Sequence, residues 1–235
     1  MSEPAVSLAF FDTAQGLHGS ARSGVTLLFD GGNPRTLPEG TAIEREGDGW
    51  HARVEGELDL TFTPVSEAAE FDGAIARVCR VAGTLGSATL DCLGTATETV
   101  TPPAWAELDA LRAVSAIFDV EHAVLAVARR PRGALGHGQE EVSARILQGD
   151  QLLEVEEARI STVYDADGRQ RSAGLELWLP GEDFPRRASG TVQAGASLAL
   201  EGLRVNAAVF GWTMEGRDGA GAYDLVIRDE PDTAA

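Results

Sequence analysis

Residues 204–230 read RVNAAVFGWTMEGRDGAGAYDLVIRDE, and their pattern decides the fold class. Ala208, Phe210, Trp212 and Met214 recur at every second position, so one face of an extended chain is apolar; that is the period of a β-strand and not of a helix. The glycine-rich stretch EGRDGAG separates this strand from a second one, AYDLVIRD. Glycine supplies the backbone freedom that a reversal needs, so the two segments read as an antiparallel hairpin.

The same grammar recurs upstream. From Trp50 to Phe62, the residues Trp50, Ala52, Val54, Gly56, Leu58, Leu60 and Phe62 share one face, while the alternate positions are mostly charged. This reads as a single half-buried antiparallel strand. Other extended runs are VSLAFFD, SGVTLLF, AIARVCRVA, SATLDCLG, AVLAVARR, EEVSARIL, ARISTVYD, SAGLELWL and VQAGASLAL, punctuated by turns such as DGGNPR, TLGS and DADGR. The 27 glycines and 10 prolines suit a chain made mostly of hairpins. The fold class is therefore all-β and antiparallel, a barrel or a sandwich. One short helix is expected over Pro103–Arg112, where an N-terminal proline precedes an alanine-rich run. No sequence repeat with a period of 20–50 residues is present, and the composition break near residues 67–72 is the candidate boundary.

A turn at Thr84-Leu85-Gly86-Ser87 would place Cys79 opposite Cys92 and Arg80 opposite Asp91, which brings opposite charges into register. The cysteines read as small core thiols, with a strained cross-strand disulfide as the alternative. Their spacing does not suit zinc.

The composition excludes several classes of function. The net charge is −18, which argues against nucleic acid and anionic membrane surfaces because phosphate contact needs a basic face. RRPR at 129–132 is the one basic cluster and reads as a solvated strand end. All 19 basic residues are arginine, so Schiff-base chemistry through lysine is out. No signal peptide and no membrane-length apolar run is evident, which leads to the expectation of a cytoplasmic protein without membrane insertion. Four scattered histidines without H-x-H or H-E-x-x-H spacing give no metal site, and no cofactor is expected. His18 and His51 read as surface residues and His122 as a solvated turn residue.

Several segments resemble one family in matching order. They are LAFFDTAQGLHGSAR with VTLLFDGGNPR, then GTLGSATLDCLGTATET leading to PPAW, then AVSAIFDVEHAVLAVARRPRGALGHGQ, and finally VNAAVFGWTMEGRDGAGAYDL. Together they are similar to the hydroxyneurosporene-synthase-like (carotenoid 1,2-hydratase-like) proteins, including bacterial members of unknown function. The resemblance implies tandem lipocalin-like β-barrels: here a reduced N-terminal β unit over residues 1–72 and a lipocalin-like barrel over 73–235. It also implies hydration or cyclisation chemistry carried by a motif of approximately Gly-x-x-Asp-His-Ser-Trp-Gly-x-Arg-Asp-Trp. On this chain the aspartate of that motif falls on Thr97, the histidine on Glu98, the serine on Thr99 and the first tryptophan on Val100. The following glycine falls on Thr101, the arginine on Pro103 and the second aspartate on Ala104; the final tryptophan is kept as Trp105.

Glu98 is the ionisable group left at the motif position. It reads either as an acid in an apolar cavity or as a polar strand residue facing water. Trp105, Phe118, His137, Asn206, Phe210 and Trp212 are the candidate ligand-lining residues. His137 sits between glycines that could turn its ring into a barrel mouth, and Asn206 is a potential polar handle; the aromatic residues read first as ordinary barrel core, with cavity lining as the alternative. Three functions follow. The first is binding of an apolar small molecule of isoprenoid, polyketide or fatty-acyl type, with the catalytic motif degenerate. The second is a lyase, cyclase or hydratase using Glu98 as acid. The third is a structural module with a filled barrel.

Overall fold

The computed structural model describes residues 4–22, 24–37, 40–200 and 202–228. Apart from one 3-10 turn, His137–Gln139, every regular element among them is a β-strand. The first sheet comprises β1 (Ala5–Asp12), β2 (Leu17–Arg22), β3 (Val25–Asp30), β4 (Asn33–Leu37), β5 (Ala42–Glu46), β6 (Gly49–Val54), β7 (Leu58–Pro64), β8 (Ala69–Phe71), β9 (Ala74–Leu85) and β10 (Ala88–Thr99). The second comprises β11 (Leu108–Ile117), β12 (His122–Pro131), β13 (Glu141–Gln148), β14 (Gln151–Glu154), β15 (Glu157–Tyr164), β16 (Gln170–Trp178), β17 (Arg186–Leu200), β18 (Leu203–Met214) and β19 (Arg217–Arg228). No helix among the described residues is long and apolar enough to cross a membrane.

Each sheet is an antiparallel meander whose first and last strands pair, curled into a half-barrel. The first runs β4-β3-β2-β1-β10-β9-β7-β6-β5, with β8 paired to β9, and the second runs β14-β13-β12-β11-β19-β18-β17-β16-β15. Both orders break between the fourth and fifth strand. The repeat is thus one of topology, carried by hairpin order and not by recurring residues.

Pairing the first strand with the last demands close backbone approach, and glycine provides it. A Cβ on Gly94 of β10 would stand 2.1 Å from the Ala9 carbonyl oxygen of β1, and one on Gly221 of β19 would stand 1.9 Å from that of Ser115 in β11. The β11–β19 pairing skips Ser115 and Ala116 while keeping the same register on either side, and there the Ser115 hydroxyl accepts the Ala222 N–H at 2.9 Å. The RDGAG stretch, expected as turn, is therefore strand. The turn itself is Glu215-Gly216, both with positive φ, as a type I′ reversal requires.

Three apolar cores result. Leu8, Phe10, Trp50, Phe62 and Val81 fill the first half-barrel, and Val124, Leu175, Phe210, Trp212 and Tyr223 fill the second. Phe11, Phe29, Val78, Leu125, Val205 and Val209 join the two sheets. Strands such as β1 and β18 are consequently buried on both faces: Phe10 turns into its half-barrel and Phe11 into the seam. This explains why they read as continuous apolar runs and not as clean alternation. Each such fully buried large side chain contributes about 1.5–3 kcal/mol relative to exposure.

Several expectations need correction. Residues 50–62 form the β6–β7 hairpin, reversing at Gly56 (φ 73°), and the pairs Trp50–Phe62, Ala52–Leu60 and Val54–Leu58 keep the apolar set on one face on both sides of the turn. Pro103–Arg112 is not helical; its C-terminal half is the start of β11, which buries Leu108, Ala110 and Arg112 on one side. The β9–β10 hairpin turns on Gly86-Ser87, so Cys79 faces Gly94 and Arg80 faces Leu93. Both cysteines are free. The first sheet extends to Thr99, so the sheets divide at residues 100–107 and not at 72, and both are of similar size. Within RRPR, Arg129 is ion-paired with Asp72 and Arg130 with Glu140. His18 is buried beside Phe11, where loss of water lowers its pKa and the carboxylate of Asp12 partly restores it.

Candidate functional site

Glu98 lies two residues beyond Ala96 on β10, on the face that turns into the first half-barrel. It is 8% exposed, and both of its oxygens act as acceptors. Oε1 takes a hydrogen bond from Arg77 Nη1 at 2.6 Å and Oε2 one from Arg45 Nη1 at 3.0 Å. The two guanidinium groups also stand over the Trp50 ring, with centroid distances of 5.3 and 5.7 Å. This cluster borders a cavity of about 580 Å3 at the mouth of the half-barrel, walled by Val6 and Ile43. A carboxylate gripped by two arginines is well compensated for leaving water, but neither oxygen is left to carry a proton to a ligand.

The other sequence-derived candidates scatter. Trp105 is half-buried in the link between the sheets, where its carbonyl accepts a hydrogen bond from Arg228 Nη1 at 3.1 Å. Phe118 follows β11 and packs half-buried against the second core, beside a cavity of about 70 Å3. The His137 side chain lies outside the described residues. Asn206 is buried within β18; its Oδ1 accepts from Ser197 Oγ at 2.7 Å and its Nδ2 donates to the Gly168 carbonyl at 3.2 Å. Phe210 and Trp212 stack at 5.4 Å in the packed second core, and Phe210 meets Tyr223 at the same distance. Gly190 gives the indole its room, since a Cβ there would fall 2.5 Å from the ring.

A second constellation lies in the seam between the sheets. Arg22 of β2 is ion-paired with Asp224 of β19. Both border a cleft of about 100 Å3, which has apolar walls from Ala9, Phe71, Leu125 and Val127 and hydroxyls from Ser20 and Thr97. The side chains of Arg22 and Asp224 keep 21% and 17% of their surface accessible. Burial pushes the Asp224 carboxyl pKa up, and the Arg22 guanidinium offsets part of that rise. The pair therefore offers a guanidinium donor and a carboxyl that holds its proton more firmly than usual, both beside apolar surface. Ala113 is exposed at the cleft, which marks its opening to solvent.

Sequence reasoning missed this pair for a physical reason. Asp224 sits between Tyr223 and Leu225, and two-residue alternation assigns such a position to the solvent side of a strand. Here that side is covered by another sheet. The only available signal was the double-sided apolar character of the neighbouring strands, which implies that both faces of the sheet are packed.

No protein-family model matches the sequence, and no curated protein matches it. Solved structures do. The "putative AttH" of Nitrosomonas europaea is similar with a TM-score of 0.60 at 15% identity, covering 95% of this chain and 91% of that one. Kievitone hydratase from Nectria haematococca gives 0.57 at 11% identity, with coverages of 96% and 89%. CghA gives 0.60 at 12% identity, with coverages of 98% and 90%. The likeness is one of fold: the architecture is the tandem, lipocalin-like one.

Proposed function

We propose that this protein binds an apolar small molecule of isoprenoid, polyketide or fatty-acyl type, with one end of the ligand in the cleft between the half-barrels. The observation that carries the reading is the Arg22–Asp224 pair on the wall of a predominantly apolar cleft. At about 100 Å3 the cleft suits a chain end or part of a ring, since benzene occupies cavities of about 150 Å3. The remainder of the ligand would leave past Ala113. The barrel interior near Phe210 and Trp212 is filled by its own side chains and is the poorer container.

The second reading is hydration, or the reverse loss of water, with a carboxyl as the proton donor. Between the two candidate carboxyls, Asp224 is better suited than Glu98: burial raises its pKa, whereas both Glu98 oxygens are held by arginines. The hydroxyneurosporene-synthase-like resemblance points to the same reaction class, and so does the hydratase among the structural neighbours.

The test is native mass spectrometry of protein purified from its own host, with extraction of whatever is bound. A stoichiometric apolar ligand in the wild type, lost in the cleft-blocking variant Ala113→Trp, is the expected result. An equal load in both, or no ligand even after lipid supplementation, would overturn the assignment. If a ligand is bound, Asp224→Asn should retain it while abolishing any water addition.

A further inference from the structure

Arg45 occupies an inward position on β5. The register sets it opposite Trp50, as it sets Ile43 opposite Ala52, and both of those partners belong to the core of the first half-barrel. Two contacts fix the guanidinium there: its Cζ stands 5.3 Å from the centre of the Trp50 ring, and Nη1 donates to Glu98 Oε2 at 3.0 Å. The Nε–Nη2 edge is left over. No group among the described residues accepts from it, and the side chain keeps 50% of its surface accessible.

Elsewhere in this chain the same edge grips carboxylates with both nitrogens. Arg80 Nε and Nη2 hold the two oxygens of Asp91, each at 2.9 Å, and Arg186 holds Glu182 the same way at 3.2 and 2.6 Å. A planar fork already fixed by stacking needs little further ordering to repeat that geometry on a ligand.

The surroundings suit an acid with an apolar body. Arg45 borders the cavity of about 580 Å3, where Val6, Ile43 and Trp50 supply apolar walls. Glu98 faces the guanidinium but is shared with Arg77, so one carboxylate answers two cations. Glu44 also borders the cavity, yet alternation places its side chain on the other face of β5, in register with His51. Glu70, like Glu98, is in register with Ile75, but it is exposed and does not border the cavity. The net charge of −18 opposes an anion mainly at long range, where salt screens it.

We propose that the mouth of the first half-barrel binds an apolar monocarboxylic acid, its two oxygens on Nε and Nη2 of Arg45 and its body against Val6 and Ile43. The site is distinct from the seam cleft and does not depend on the reading given for Arg22 and Asp224. A neutral ligand of the same shape would use the apolar wall and leave the fork idle.

Isothermal titration of the full chain with octanoate and octan-1-ol tests this. Octanoate should bind at least about fivefold more tightly than the alcohol, a modest margin because Arg45 is half exposed. The margin should persist in Ala113→Trp, which closes the seam, and should vanish in Arg45→Gln, where Arg77 still holds Glu98. In nuclear magnetic resonance spectra, the arginine Nε–H signal that Arg45→Gln removes should shift when octanoate is added to the wild type. Equal binding of acid and alcohol, no octanoate binding at millimolar concentration, a margin that survives Arg45→Gln or disappears in Ala113→Trp, or an unmoved Arg45 signal would each overturn the proposal.

Discussion

Arg22 and Asp224 are ion-paired across the seam between the two sheets although 202 positions separate them in the chain. One belongs to the second strand of the first sheet and the other to the last strand of the second. The contact is thus both a brace between the half-barrels and the polar feature of the cleft.

This brace should leave a signature in the pH dependence of stability. Burial raises the folded-state pKa of Asp224 above its ordinary value of 3.8, so the folded protein holds that proton more tightly than the unfolded chain. The resulting contribution is complete below the unfolded pKa and is lost as pH rises through the folded one. In urea unfolding, the stability of Asp224→Asn relative to wild type should therefore rise with pH from about 3.8 upward and level off above the folded pKa. A difference that stays constant across the range would contradict the assignment.

Gly190 is the contact surface for the Trp212 ring. Gly190→Ala should destabilise the protein by about 1–3 kcal/mol through overpacking, with no backbone strain involved. Chemical denaturation would measure the loss, and near-ultraviolet dichroism would register the displaced indole. An unchanged aromatic spectrum at full stability would mean that the ring is not lodged there.

The two thiols should be silent in the native protein. Burial pushes both Cys79 and Cys92 up to about 12. Their offset along the ladder also puts them at a diagonal separation of about 7–8 Å, too far for the Cβ distance of about 3.8 Å that a disulfide needs. A thiol-specific chromogenic reagent should find no reactive cysteine at pH 7 before denaturant is added and both afterwards. Rapid native labelling, or a mass that shows a disulfide, would count against the register.

Glu98→Gln should cost about 2 kcal/mol, mainly by depriving the half-buried Arg77 of its charged acceptor; the more exposed Arg45 contributes less. Ligand retention in the seam should be unaffected. Loss of ligand without loss of stability would shift the functional site to the first half-barrel.

The sequence carried the fold class well because period-two alternation is a direct image of the pleat. It misled where one local signal had two geometries. Arg80 and Asp91 do pair, with two hydrogen bonds of 2.9 Å, but diagonally: the arginine side chain is long enough to bridge an offset of two residues. A charge match therefore could not fix the register that the Gly86-Ser87 turn imposes. The apolar face from Trp50 to Phe62 survived a chain reversal for a similar reason, since opposed residues in a hairpin point the same way. The sites were less legible still. Arg112, Glu140 and Tyr223, for example, converge from distant parts of the chain, and two of the three would read as solvent-facing charges on isolated segments.

The pairing of first strand with last has one more implication. The chain enters and leaves each half-barrel at neighbouring points, and an eight-residue link, 100–107, suffices to connect them. A unit with adjacent ends can be copied in tandem without rethreading, so the double architecture is within reach of a single duplication. It also has a natural place to be cut. β14 and β15 share no ladder, so a circular permutant opened between Glu154 and Glu157 would sever no strand pairing in the second half-barrel.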